Sequence, residues 1–333
     1  MSKKRIEFVD YLRGISIFGI VIFHLFHDYM TLPGIIAKLS IFGGAGVHVF
    51  NVCSSFGLAL SFINRPVSWG EFLKKRFIKI YIPYAIAVTF YFIFHMSMNP
   101  TTDTVIAYLS HVFLFKMFVP AYMTSLGGHF WYISTIIQFY LIFLLLMKLR
   151  NQIGNKKLLI FSCIVSILWM TLTSLLGIVD NRVWNNFVLQ YLWEFGIGIF
   201  LADWLLARHT AEIKKPNLWL VALLTIVCSA IYAVTGLSGG IINNFNDVFS
   251  LTAISGIYYL IYQIKPAAKL FTRLAGFSYE LYLMHILVFQ ILTTFLNPYC
   301  STYIVGALSL VLSFVVSYGY SIVMQKILRK PLR

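Results

Sequence analysis

Arg13 and His24 stand eleven residues apart in the segment EFVDYLRGISIFGIVIFHLFHDY. On a helix that is about 16 Å and about three turns, so the two share a face at different depths. The arrangement suits an elongated ligand whose anionic part meets the Arg13 guanidinium while its reactive part reaches His24. An imidazole, with an ordinary pKa near 6.5, can take a proton from a hydroxyl. Asp10 lies three residues before Arg13 on the same face and can pair with it in the headgroup zone. His27 and Asp28 follow one turn beyond His24, as orienting groups or as a polar helix end. The same residue types also fit a buried neutral imidazole bonded to another helix and an arginine anchoring a span at the interface, and the sequence leaves both readings open.

Further polar residues interrupt apolar surroundings at His48 with Asn51, at Arg76, Lys79 and Tyr81, at His129 with Trp131 and Gln138, and at Glu280 and His285. Ionisable groups inside hydrocarbon are costly unless they face a cavity or a partner, which makes these positions candidates for function. Glu280 and His285 are five apart and do not share a helical face. No histidine pair has H-E-x-x-H spacing, and Cys53, Cys163, Cys228 and Cys300 lie far apart without a C-x-x-C, so no metal centre is expected. The cysteines read as small apolar fillers. A Walker loop, a dinucleotide glycine fingerprint and a G-x-S-x-G elbow are all missing from the sequence.

These residues must be positioned by helices in a membrane. Of 333 residues 59% are hydrophobic and 11% charged, with a mean hydropathy of +0.82. That excludes a disulfide mini-scaffold, a disordered regulator and a cytoplasmic enzyme with an ordinary polar surface. The expected fold is an all-α, polytopic helix bundle forming a single membrane domain over residues 1–333. Spans are expected near 11–30, 41–63, 77–97, 129–149, 158–178, 187–207, 217–236, 246–264, 275–296 and 301–325. The first apolar run follows a basic start but lacks a small-residue cleavage site, and it is read as the first span. An eleventh apolar window at 104–119 is short, carries His111 and Lys116 and ends at Pro120. It is expected to be re-entrant or interfacial.

Charge placement supports ten spans. With both termini cytoplasmic, the inner stretches 1–13, 64–79, 148–157, 208–215, 265–273 and 326–333 hold 23 of the 26 lysines and arginines. Only Lys38, Lys116 and Arg182 fall outside. The net charge of +15 therefore reflects orientation and anionic lipid, not nucleic acid. The concentration of charge in 64–79 can also attract an anionic cytoplasmic substrate.

The segment DYLRGISIFGIVIFHL, with Arg13 and His24, resembles the first helix of the acyltransferase 3 family of integral membrane O-acyltransferases. GVHVFNVCSSFGLAL is similar to the family's second-helix motif, FLKKRFIKIYIPY to its basic motif, HFWYISTIIQFYL to its tryptophan-containing helix and FSYELYLMH to its late helix ending in histidine. The five segments occur in family order and cover nearly the whole chain. The sequence departs where His48 stands in place of a common aspartate and Ile136 in place of a common glutamate, which puts an acidic partner at either place in doubt.

The resemblance implies transfer of an acyl group, acetyl or succinyl, from acyl-coenzyme A to a hydroxyl of a cell-surface or lipid-linked glycan at the plasma (inner) membrane. His24 is then the general base, or a nucleophile forming an acyl-histidine, with Arg13 and Asp10 beside it. Lys75, Arg76 and Lys79, with Arg13, would bind the coenzyme A phosphates. His48, His129, Trp131, Gln138 and His285 would line the cavity or the acceptor site. Acyl-coenzyme A is expected as a substrate, with no permanently bound cofactor. The competing reading is a carrier or flippase for an anionic lipid-linked sugar, whose usual inverted repeat the sequence does not display.

Overall fold

The computed structural model describes residues 7–30, 32–207 and 215–329, and the described residues form helices and turns without a strand. Residues 1–6, 208–214 and 330–333, which carry part of the expected inner basic charge, lie outside them.

Among the described residues eight helices are long and apolar enough to cross a membrane: Glu7–Asp28, Gly46–Asn64, Trp69–Met98, Gly128–Ile153, Asn155–Leu175, Leu218–Ser238, Lys265–Leu296 and Thr302–Leu328. The windows expected at 187–207 and 246–264 correspond to helices Leu192–Ala207 and Asp247–Tyr262, each of 16 residues. At 1.5 Å per residue, 16 residues reach about 24 Å, short of a hydrocarbon core of about 30 Å.

The 104–119 window breaks into pieces. Helix Thr102–Val112 starts on the Thr101 hydroxyl, which accepts from the Thr104 amide at 3.1 Å. Beyond it Leu114, with a φ of 62°, reverses the chain before a 3₁₀ turn over Phe115–Phe118.

Two stretches expected as inner loops are largely helical. Trp69–Arg76 runs through a π-helical turn, Phe77–Tyr81, into Ile82–Met98. Lys265–Leu274 runs through a 3₁₀ turn, Ala275–Phe277, into Ser278–Leu296. Lys265, Lys269 and Arg273 repeat every four residues, as do Leu270 and Leu274 on the apolar side. A basic stretch can therefore be an amphipathic interfacial helix while still reporting orientation.

The chain separates into two compact units. The first comprises Met1–Ser16, Ala45–Trp69 and Thr135–Leu274. Its core contains Tyr11, Ile15, Val49, Cys53, Ile254 and Tyr258, and the Tyr11 hydroxyl donates to the Tyr258 carbonyl at 2.7 Å. Helices Gly46–Asn64 and Leu192–Ala207 approach so closely at Gly198 that any Cβ there would meet Val52 and Ser55. Phe139 stacks on Phe195 with centroids 4.0 Å apart, and Arg150 grips Asp203 through Nε at 2.9 Å and through Nη2.

The second unit comprises Ile17–Gly44, Gly70–Ser134 and Ala275–Arg333. Here Ser278–Leu296 packs along the last helix. Ser309, Ser313, Ser317 and Ser321, at four-residue spacing, are all buried. In lipid, such small residues let backbones approach and gain dispersion contacts without a water-driven core. Tyr320 and Tyr279 donate to the carbonyls of Pro83 and Ile80 at 2.6 and 2.7 Å. These bonds tie the third span to both late helices.

Candidate active site

The second unit brings three histidines together from three segments distant in sequence. His24 and His285 have ring centroids 5.1 Å apart, His129 and His285 5.1 Å, and His24 and His129 6.2 Å. His129 and His285 are buried and His24 is half-buried.

Hydrogen bonds set the tautomers. His285 Nδ1 lies 2.8 Å from the Leu281 carbonyl, which can only accept, so the proton of the neutral ring sits on Nδ1. Its Nε2 then carries a lone pair and receives a hydrogen bond from His24 Nδ1 at 3.1 Å. A neutral His24 protonated on Nδ1 keeps its own lone pair on Nε2. The arrangement has the logic of a base oriented by a second group, with an imidazole and a carbonyl replacing the carboxylate of a hydrolase triad.

Local structure fixes His285. The Tyr91 hydroxyl inserts into the Ser278–Leu296 helix, donating to the Leu283 carbonyl at 3.1 Å and accepting from the Leu287 amide at 2.8 Å. A fully buried side chain thus engages one carbonyl and one amide of the helix on either side of His285.

His129 is held through its backbone. Tyr282 donates to its carbonyl, and Lys116 Nζ donates to the Phe130 and Met123 carbonyls at 2.9 and 3.3 Å. Before it, Leu126 takes a φ of 59°, and its carbonyl accepts from His95 Nε2 and Gln290 Nε2, each at 3.1 Å. A bulky residue in the left-handed region costs about 1–3 kcal/mol and persists where surrounding bonds over-determine it. At Gly127 a Cβ would lie 2.9 Å from the His129 ring, so a side chain there would displace the imidazole. Neither ring nitrogen of His129 has a hydrogen-bond partner among the described residues.

Lys116 lies outside the eight spans and is fully buried, and burial pushes its ammonium down to about 7. Neighbouring His111 is held well below the usual imidazole range, first by burial and then by Lys116. Its ring faces the Tyr84 hydroxyl at 2.8 Å and the Ser125 hydroxyl at 3.1 Å.

The other expected residues are distributed as follows. Asp10 is buried and Arg13 half-buried on the part of the first helix that belongs to the first unit. His27 pairs with Asp28 at 2.7 Å at the exposed helix end. Lys75 bonds Glu71 at 2.6 Å on an exposed face, Arg76 covers the Phe72 ring at 5.3 Å, and Lys79 is exposed on the π-helical turn. Trp131 is half-buried beside Tyr132, with centroids 5.9 Å apart. Gln138, in the first unit, accepts the Val188 amide at 3.1 Å and so braces the approach to helix Leu192–Ala207.

His48 also lies in the first unit. The sequence leaves an acidic partner there in doubt, and the fold brings two carboxylates to it: Glu194 Oε1 lies 2.6 Å from His48 Nδ1 and Asp247 Oδ1 3.7 Å from Nε2. Asn51 Nδ2 donates to Glu194 Oε2 at 2.7 Å. The carboxylates come from other helices than the expected positions. Glu194, alone in the run YLWEFGIGIF, was the visible signal for one of them.

The family model of the acyltransferase 3 group, described as an acyltransferase domain, matches residues 6–322. No curated protein and no solved structure matches the chain.

Proposed function

The chain belongs to the acyltransferase 3 family of integral-membrane acyltransferases, and we propose that it transfers an acetyl or succinyl group from acyl-coenzyme A to a glycan hydroxyl with His24 as the base. The observation that carries this reading is the His285 to His24 hydrogen bond, which leaves the His24 Nε2 lone pair available. The acceptor hydroxyl gives its proton to Nε2 while its oxygen attacks the thioester carbonyl. The carbon–sulfur bond breaks, and the proton passes from His24 to the departing thiolate. His285 and His129 orient the base.

The donor's phosphates are assigned to Lys75, Arg76 and Lys79, with Arg13 on the helix that carries His24. Arginine offers a planar fork to phosphate oxygens and lysine a mobile point charge. Asp10 is assigned to the helix face that carries Arg13, and His48, Trp131 and Gln138 to the acceptor side. In this reading the chain acts as one domain with ten crossings, counting the two 16-residue helices, both termini cytoplasmic, in the plasma membrane. The charge distribution of the sequence supports that orientation.

The test is coenzyme A release by purified protein given acetyl- or succinyl-coenzyme A and a panel of glycans. Acceptor-dependent release is expected. Absence of both donor binding and turnover across the panel would remove the proposal.

A further inference from the structure

His48, Glu194 and Asp247 meet in the first unit, whereas His24, His129 and His285 belong to the second, and each of the three side chains offers an atom of a kind that ligates metals. The three donors can be chosen so that all lie within 4.8 Å of one another. They come from helices Gly46–Asn64, Leu192–Ala207 and Asp247–Tyr262, all in the first unit. No local spacing in the sequence announces such a set.

We propose that His48 Nε2 and the Asp247 carboxylate bind a divalent transition metal, zinc by donor type, with Glu194 orienting His48 from behind. Glu194 Oε1 accepts at 2.6 Å from His48 Nδ1, which places that ring's proton on Nδ1 and its lone pair on Nε2. A ligating histidine characteristically donates its other N–H to a carboxylate in this way. The Nε2 to Asp247 Oδ1 separation of 3.7 Å is too long for a hydrogen bond. It is close to the roughly 3.4 Å that separates two ligands on one tetrahedral zinc with bonds of about 2.0–2.2 Å.

Two further observations point to a cation. Asp247 Oδ2 is buried with no hydrogen-bond partner, and fully buried Asn51 leaves Oδ1 without a partner on the same amide that bonds Glu194. Charge accounting agrees. Among the described residues neither carboxylate pairs with a lysine or arginine. An imidazolium between two carboxylates would leave one net negative charge buried, which is costly. A divalent cation with a neutral His48 brings the cluster to zero. His48 and Asp247 keep side-chain exposures of 13% and 14%, so the remaining coordination positions can take water or a ligand oxygen.

The test uses the full chain purified in detergent, stripped with a chelator, reloaded with zinc and dialysed. The readouts are zinc content and the unfolding midpoint, so the outcome stands whichever way acyl transfer is decided. Wild type is expected to retain about one zinc per chain and to unfold at higher temperature with it. His48→Gln and Asp247→Asn should abolish retention, and Glu194→Gln should weaken it by about 10- to 100-fold. A wild type that retains no zinc, or variants that retain as much as wild type, would overturn the site. Cobalt loading of the wild type needs no variant: a spectrum without thiolate charge transfer supports the nitrogen and oxygen donors, and a thiolate band overturns them.

Discussion

His285 Nε2 lies 3.1 Å from His24 Nδ1, and the Leu281 carbonyl 2.8 Å behind His285 fixes which ring donates. The pair is the buried counterpart of a base and its orienting group, built from the first span and the late helix of one unit. Its consequence is a directional one: the proton-accepting atom of His24 is Nε2.

His285 is a positioning residue in this arrangement. His285→Phe is expected to lower kcat by about tenfold or more while the donor KM stays near wild type. His285→Gln retains an oxygen that can accept from His24 Nδ1 and should recover part of kcat. A merely structural role would give equal losses in both variants, with a lowered unfolding midpoint.

His129 carries two buried ring nitrogens without partners among the described residues, each costing about 1–3 kcal/mol. His129→Phe keeps the ring shape and removes both polar atoms. The variant is expected to raise the unfolding midpoint and lower turnover, the opposition characteristic of strain retained for function. Thermal unfolding and coenzyme A release on the same preparation check the two halves.

Lys116 makes stability depend on pH with a definite sign. Its ammonium is pushed down to about 7 by burial, whereas in the unfolded chain it titrates near its ordinary 10.5. Between those values the unfolded state binds the extra proton, so stability rises with pH from about 7 to about 10.5, at up to about 1.4 kcal/mol per unit. His111, depressed by burial and by Lys116, adds a rise of the same sign below its ordinary 6.5. Lys116→Met should flatten the upper slope, read as unfolding midpoint against pH in detergent.

Arg76 and Lys79 should act on the donor phosphates through their charge. Neutralising both is expected to weaken coenzyme A binding and to make the residual affinity less dependent on salt, since exposed charges are screened within about 10 Å at 0.1 M. Calorimetric titration at two ionic strengths measures both effects. Lys75, already engaged with Glu71, should contribute less than either.

Much of this was legible in the sequence because lipid imposes simple rules. Apolar length located the eight long spans, and single polar residues in apolar runs marked His24, His129 and His285. Two things were hidden. The apolar windows located helices Leu192–Ala207 and Asp247–Tyr262 but not their shortness, and this, like the helical basic stretches, depends on packing and interfacial geometry, which hydropathy does not encode. The partners of His48 are also tertiary: Glu194 is 146 residues away, and only folding places it at hydrogen-bond distance. The same holds for Tyr91, whose hydroxyl bonds the backbone of a helix 192 residues on.

The most direct test of acyl transfer through His24 is turnover by purified His24→Gln protein whose unfolding midpoint and donor affinity match wild type. Coenzyme A release in the presence of acceptor is predicted to fall by about 10²- to 10⁴-fold, the usual contribution of a positioned general base. Release at the wild-type rate from that folded, donor-binding variant would contradict a base at His24.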